Sequence, residues 1–228
     1  MKNEKNLRLI IVDCPVDSWE DKQTSHLFHE AIGLKLRGYG QEYPYGVLAV
    51  DGSDFVSTHL LLCREGPSGF ETVVAYKSIS LNRCNTFNMT FPPLAIANAA
   101  GSLGHVKAIR EIVDRNTAES ERVRYCSAYT IRPELREDRA LIKNIKSALA
   151  GTHVNFHKHE RSVESILCGV IRFKVDQMFA SWGYEALKLN SQELPHINMV
   201  SLLGEPVNMF RLPAFSAAAE AMGAEHRK

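Results

Sequence analysis

The chain has 228 residues, 45% hydrophobic and 23% charged, which places it among globular proteins of about one domain's size and excludes wholesale disorder and collagen-like architectures. Its 27 Lys and Arg against 26 Asp and Glu leave a formal charge of +1, so a nucleic acid is not the expected partner. Cys14, Cys63, Cys84, Cys126 and Cys168 are odd in number and contain no C-x-x-C pair, which speaks against a disulfide framework or a zinc ribbon. A polar head precedes a short apolar run at 7–12, and no long apolar stretch appears elsewhere. No transmembrane segment and a cytoplasmic location are therefore expected.

In chain order, residues 7–12 read as a strand. From Ser18, apolar residues at Leu27, Phe28, Ala31, Ile32 and Leu34 follow steps of three and four. They predict an amphipathic helix to about Leu36, stopped at Gly38 and Gly40. Strand-like runs at 45–50, 58–64 and 71–80, with D-G-S-D and G-P-S-G turns between them, predict an antiparallel meander. Residues 82–103 are punctuated by Pro and Gly and read as loop, and Val106, Ile109 and Val113 mark a helix ending near Asn116. Together 82–121 read as a loop-plus-helix insertion. Residues 122–131 have strand composition and stop at Arg132-Pro133.

Leu141, Ile145 and Ala148 then define a helix closed by Gly151. Residues 162–171 suit a buried strand, with a helical reading of part of them left open by periodicity. Val175, Met178, Phe179 and Trp182 mark a helix ending at Gly183, followed by strand-like pieces at 184–189, 197–202 and 207–212. An alanine-rich helix at 215–222 lies in the C-terminal segment 213–228. No repeat or linker divides the sequence, so 1–228 is expected to be a single domain.

This order of elements resembles the GNAT acyltransferase fold, and two segments strengthen the resemblance. In I-R-P-E-L-R-E-D-R-A-L-I-K-N, residues 131–144, a strand end, an arginine and a helix start look like the superfamily's acyl-donor pyrophosphate loop, with Arg136 at its first position. In V-D-Q-M-F-A-S-W-G-Y-E-A-L, residues 175–187, Phe179, Gly183 and Tyr184 look like the helix-to-strand turn of many members. Leu36-Arg37, Tyr39 and V-D-G-S-D-F-V-S-T-H-L-L-L at 50–62 look like N-acyl amino acid synthases and acyl-homoserine-lactone synthases. The lactone synthases' E-x-S-R-F is absent, since 127–131 read S-A-Y-T-I, and the amino acid synthase branch fits better.

The resemblance implies an α/β (α+β) fold with a central, mostly antiparallel mixed sheet flanked by helices. It implies an N-acyltransferase moving an acyl group from an acyl carrier protein or coenzyme A thioester to the amine of a small molecule, with an amino acid as leading acceptor. The alternative is a catalytically silent module of the same fold that binds an acyl thioester or a partner protein. Ile131, Arg132, Arg136, Glu137, Asp138, Arg139 and Ala140 would form the donor loop. Arg139 and Leu141 stand where the family's loop has small residues, which crowds a pyrophosphate and favours a carrier protein as donor. A helix N-terminus and three arginines still suit a phosphate.

By position, Arg37 would hold the acceptor's carboxylate, while Asp51 or Asp54 would orient or deprotonate its amine. An α-amine near pKa 8 asks little of such a base. Phe179 occupies the place where many acetyltransferases use a Tyr, which leaves Tyr129 as the candidate acid, with Tyr125 and Tyr184 also available. No tightly bound cofactor is implied, and the acyl thioester is a substrate. The T-H-V-N-F-H-K-H segment with His153, His157 and His159 has no Cys or Asp beside it in sequence. It reads as polar surface, with His157 and His159 on one face if it is a strand, and no metal is expected.

Overall fold

The computed structural model describes residues 7–66 and 69–226. The polar head, the centre of the G-P-S-G turn and the last two residues of the C-terminal tail lie outside them. In chain order the elements are β1 (Arg8–Asp13), α1 (Lys22–Glu42), α2 (Gly52–Val56), β2 (Thr58–Gly66) and β3 (Gly69–Ser80). Next come α3 (Leu81–Thr86), α4 (Pro92–Ala99), α5 (Leu103–Arg115), β4 (Val123–Ile131) and α6 (Arg139–His159). The chain continues through β5 (Glu164–Val170), α7 (Val175–Ser181), β6 (Glu185–Ala186), β7 (Lys188–Leu189) and β8 (Gln192–Glu193). It ends in β9 (Ile197–Met199), β10 (Glu205–Arg211) and α8 (Ala217–Glu225). The content is mixed α/β with a mostly antiparallel sheet, and none of the described helices is long and apolar enough to cross a membrane.

Two compact units share these elements. The first comprises Met1–Ile79 and Ser127–Leu149, the second Ser80–Cys126 and Ala150–Lys228.

In the first unit the strands are hydrogen-bonded in the order β1-β2-β3-β4. β1 runs antiparallel to β2 with Leu9 opposite Leu62, and β2 antiparallel to β3 with a bulge at Leu62/Cys63. α1 begins at Asp21, whose carboxylate accepts the Thr24 N–H at 2.7 Å, as an N-cap should. Its Leu27, Ala31 and Leu34 pack with Val12, Leu61, Cys63 and Ala75 into a buried cluster. This is the apolar stripe legible in the sequence, meeting the inward face of three strands.

The second unit pairs the first four residues of β4 in parallel with β5, Val123 opposite Glu164 through Cys126 opposite Leu167. β10 then runs antiparallel to β5, β6 and β9. α5 buries His105, Val106, Ala108, Ile109 and Ile112 along one face.

Four expectations are corrected. Residues 45–50 form no strand, and Tyr45 and Leu48 are 94% and 84% exposed. The edge of β2 that they would pair with belongs to β1, and Gly46 turns the chain at φ 85°. Residues 82–103 are not a loop: they hold α3 and α4, with Pro92 at the start of α4, where a missing N–H costs nothing. Gly38, Gly40 and Gly151 do not end their helices, since α1 runs to Glu42 and α6 to His159. The histidine segment is consequently helical, with His153 and His157 buried and His159 alone exposed. Gly151 serves packing instead, because a Cβ there would meet the Met222 carbonyl oxygen of α8 at 2.7 Å.

Candidate active site

The D-G-S-D segment folds as a capping box. The Asp51 carboxylate accepts the Ser53 N–H at 2.8 Å, and the Asp54 carboxylate reaches back to the Asp51 N–H at 2.9 Å. Two oxygens so placed start the short helix α2. They also create a charge cluster. Asp54 is fully buried and receives Lys35 Nζ on both oxygens at 2.8 and 2.9 Å and Lys77 Nζ at 2.9 Å. Lys77 further donates to Ser53 Oγ at 2.7 Å and lies 3.3 Å from Asp51, whose side chain is 66% exposed.

Burial alone would raise the Asp54 carboxyl, but Lys77, Lys35 and the Asp51 N–H together hold it below the usual carboxylate range. Burial and the neighbouring Lys77 charge bring Lys35 down to about 8, against the pull of Asp54. His59 Nε2 faces the Asp54 carbonyl oxygen at 2.6 Å, and burial takes its imidazole down to about 4. A neutral imidazole facing a carbonyl must carry its proton on Nε2, so His59 is the donor. Of the two aspartates, Asp51 alone is open to an incoming amine. Asp54 is committed to two ammonium groups.

Arg37 is not brought to this cluster. It is exposed on α1, two residues and so about 200° around the helix from Lys35, and its guanidinium lies back over Gly33.

The donor-loop residues follow β4. At Ala128 the strand backbone takes φ 59°, an uncommon conformation for a residue other than glycine, and Thr130 Oγ1 donates to the Ala128 carbonyl at 3.2 Å. Ile131 is buried, and its carbonyl accepts from Arg136 Nε at 3.1 Å. Arg136 also pairs with Glu42 at the end of α1 at 2.5 Å. Arg132 directs Nε and Nη2 to the Thr72 carbonyl of β3 at 3.1 and 2.9 Å, which ties the loop to the sheet.

Glu137, Asp138, Arg139 and Ala140 are exposed at the start of α6. The Asp138 carboxylate accepts the Leu141 N–H at 3.0 Å, so a side chain already meets one of the helix's orphan donors. Tyr129 has a buried hydroxyl with no hydrogen-bond partner among the described residues. Burial pushes that phenol up, against a smaller downward effect of Arg136.

Asp51, Asp54, Tyr129 and the 131–140 segment thus all lie in the first unit. Lys35, Lys77, Ser53, His59 and Glu42 were not legible as participants. Their signal was a lysine on an otherwise apolar face, Lys35 beside Leu34 and Lys77 within V-V-A-Y-K-S-I-S, since a buried ammonium requires a carboxylate partner.

No family model matches the chain, and no curated protein matches it significantly in sequence. Its fold is nonetheless shared. The AHL synthase LasI superposes with a TM-score of 0.58 at 13% identity, covering 94% of both chains. The N-acyl amino acid synthase FeeM from uncultured soil microbes gives 0.51 at 11% identity, over 91% of this chain and 90% of its own. Escherichia coli ElaA gives 0.50 at 9% identity, over 91% and 99%. The chain therefore has the GNAT fold.

Proposed function

We propose that this protein is an N-acyltransferase that moves an acyl group from a phosphopantetheine thioester to the amine of a small molecule, with an amino acid as acceptor and an acyl carrier protein as preferred donor. The observation that carries this reading is the similarity along more than nine-tenths of the chain to LasI and FeeM, an AHL synthase and an N-acyl amino acid synthase. Three features of the first unit support it. Asp51 is an exposed carboxylate, fixed by Ser53 and Lys77, that can accept the proton of an ammonium acceptor. Tyr129 offers a hydroxyl that no described residue uses, suited to donate to a departing thiolate. Arg136 and exposed Arg139 flank the start of α6, where an anion meets the positive end of a helix.

The carrier preference rests on Arg139, Leu141 and the Asp138 cap. A pyrophosphate asks for several free amides and small residues, whereas a carrier's single phosphate needs fewer and its acidic surface suits exposed Arg139. No covalent intermediate is required: the amine nitrogen bonds to the thioester carbonyl carbon and gives up a proton, the carbon–sulfur bond breaks, and the departing thiolate takes up a proton to leave as the free thiol.

A second reading, a silent thioester-binding module, is favoured by the same Asp138 cap and by the Arg136–Glu42 pair, both of which occupy groups that a donor would need. Incubation of the protein with acyl carrier protein or coenzyme A thioesters, an amino acid and a thiol reagent separates the two. Turnover releases free thiol, faster from the carrier. Absence of thiol release with either donor leaves the silent module.

A further inference from the structure

The acyl-transfer reading leaves unused a buried group of polar side chains in the second unit. Cys126 is the last residue of β4 paired with β5, and His153 and His157 lie one turn apart on α6, so both imidazoles share a helix face. The three are buried, and their donor atoms all lie within 4.8 Å of one another. Cys126 Sγ stands 3.5 Å from His157 Nε2, and Ser165 Oγ stands 3.4 Å from the same nitrogen. His153 Nε2 meets Tyr184 Oη at 2.7 Å, and that hydroxyl meets Ser165 Oγ at 2.8 Å.

We infer that Cys126, His153 and His157 form a structural zinc site, with the Ser165 and Tyr184 hydroxyls facing its fourth coordination position. The spacings carry the inference. Bonds of about 2.3 Å to sulfur and about 2.0–2.1 Å to nitrogen or oxygen, in tetrahedral geometry, place sulfur about 3.5 Å from nitrogen and nitrogen about 3.4 Å from oxygen. These are the separations found around His157 Nε2. The His153 donor lies within 4.8 Å of the other two, at most about 1–1.5 Å beyond tetrahedral spacing.

The surroundings also fit. Ser162 Oγ lies 2.8 Å from His157 Nδ1, the outer hydrogen bond that fixes a ligating imidazole and leaves Nε2 to the metal. Burial keeps both imidazoles neutral, since His153 is brought down to about 3 and His157 well below its ordinary value, and the neutral form is the one that ligates. A Cys with two His suits a borderline-soft ion over magnesium or calcium, which take oxygen donors. Zinc binding releases the thiol proton to solvent and leaves the ligands' oxidation states unchanged. The site's closure on all sides makes it structural, filled as the unit folds.

The test uses the full chain, stripped with a chelator under reducing conditions and titrated with Zn²⁺ and with Co²⁺ as a coloured probe. The expected result is uptake of about one ion per chain, with a near-ultraviolet thiolate-to-cobalt band and a raised melting temperature. Cys126→Ser should abolish the band, Cys168→Ser should keep it, and Ser162→Ala should weaken binding about 10–100-fold. Failure of the natively folded, unsubstituted chain to take up either ion overturns the site. So does a thiolate band that survives Cys126→Ser. Because the titration of the unsubstituted chain is decisive by itself, poor folding of a variant leaves the answer intact. Neither outcome bears on thiol release from an acyl donor.

Discussion

At Asp54 one carboxylate pairs with two ammonium groups inside the first unit, Lys35 at 2.8 Å and Lys77 at 2.9 Å. Such a cluster adds little over a well-packed apolar substitute, yet removing one partner strands the others in a poorly solvating medium. Asp54→Asn should therefore cost about 3–5 kcal/mol of stability by chemical denaturation, in the range for a broken buried pair. Asp51→Asn, at a mostly exposed carboxylate, should leave stability nearly unchanged while slowing acyl transfer. Equal destabilisation by both would remove the distinction between a structural and a reactive aspartate. Arg136 admits a similar separation. If it binds donor phosphate, Arg136→Ala should raise the donor KM by about 10–100-fold, the equivalent of about 1.5–3 kcal/mol for a charge-assisted contact. Glu42→Gln, which frees Arg136 from its partner at 2.5 Å, should lower it. If Glu42→Gln raises the donor KM, Glu42 holds Arg136 in its binding geometry and does not compete with phosphate for it.

At the scale of elements, periodicity located the long pieces and failed at their ends. The stripe through Leu27, Ala31 and Leu34 revealed α1, and Leu141, Ile145 and Ala148 revealed α6, because a buried helix face imposes its spacing on the sequence. Glycine misled in both helices. Read as a terminator, Gly38 instead allows α1 to approach β4, since a Cβ there would lie 2.5 Å from Thr130 Cγ2 and 3.1 Å from Arg136 Nη2. Such close approaches join positions 92 residues apart in the chain (130 minus 38), and no local pattern records them. The same holds for Lys35 with Asp54 and for Cys126 with His157: the residue types were visible and their meeting was not. Asp51 and Asp54 read as residues of a turn and as carboxylates beside the acceptor, and the D-x-x-D spacing carries the capping box as well. Gly38→Ala follows as a test of the packing reading. It should destabilise by about 1–3 kcal/mol through overpacking and, if Arg136 binds the donor, raise the donor KM by displacing it. A helix-propensity view expects the reverse, a gain of up to about 1 kcal/mol. A chemical denaturation curve decides by its sign.

For the whole molecule, the neutral buried imidazoles couple stability to pH in both units. His59 is brought down to about 4 and His153 to about 3, and His105 and His157 are also lowered, burial being the first cause in each. The unfolded chain protonates its histidines near pH 6.5, and the folded chain does so only well below that. Between these values unfolding takes up protons, so their contribution is fully present above about pH 6.5 and is lost as pH falls through the folded values. Each such histidine adds a slope approaching about 1.4 kcal/mol per pH unit inside that window. Glu164, raised by burial against the pull of Arg211 and Arg115, acts in the opposite sense at the acidic end, where the folded chain holds its proton longer. Lys35 extends the rise at the other end: its fall to about 8 from 10.5 makes stability climb with pH across that interval. The two tryptophans make the units separable, because Trp19 lies in the first and Trp182 in the second. With chelator-treated Trp182→Phe protein, urea denaturation followed by Trp19 fluorescence reports the first unit, and Trp19→Phe protein reports the second. Both midpoints should fall between pH 7 and pH 4.5. Adding His59→Gln should flatten the first unit's slope by about one proton and leave the second unit's slope alone. A midpoint that does not move across this range in either unit would contradict the burial of uncharged imidazoles there.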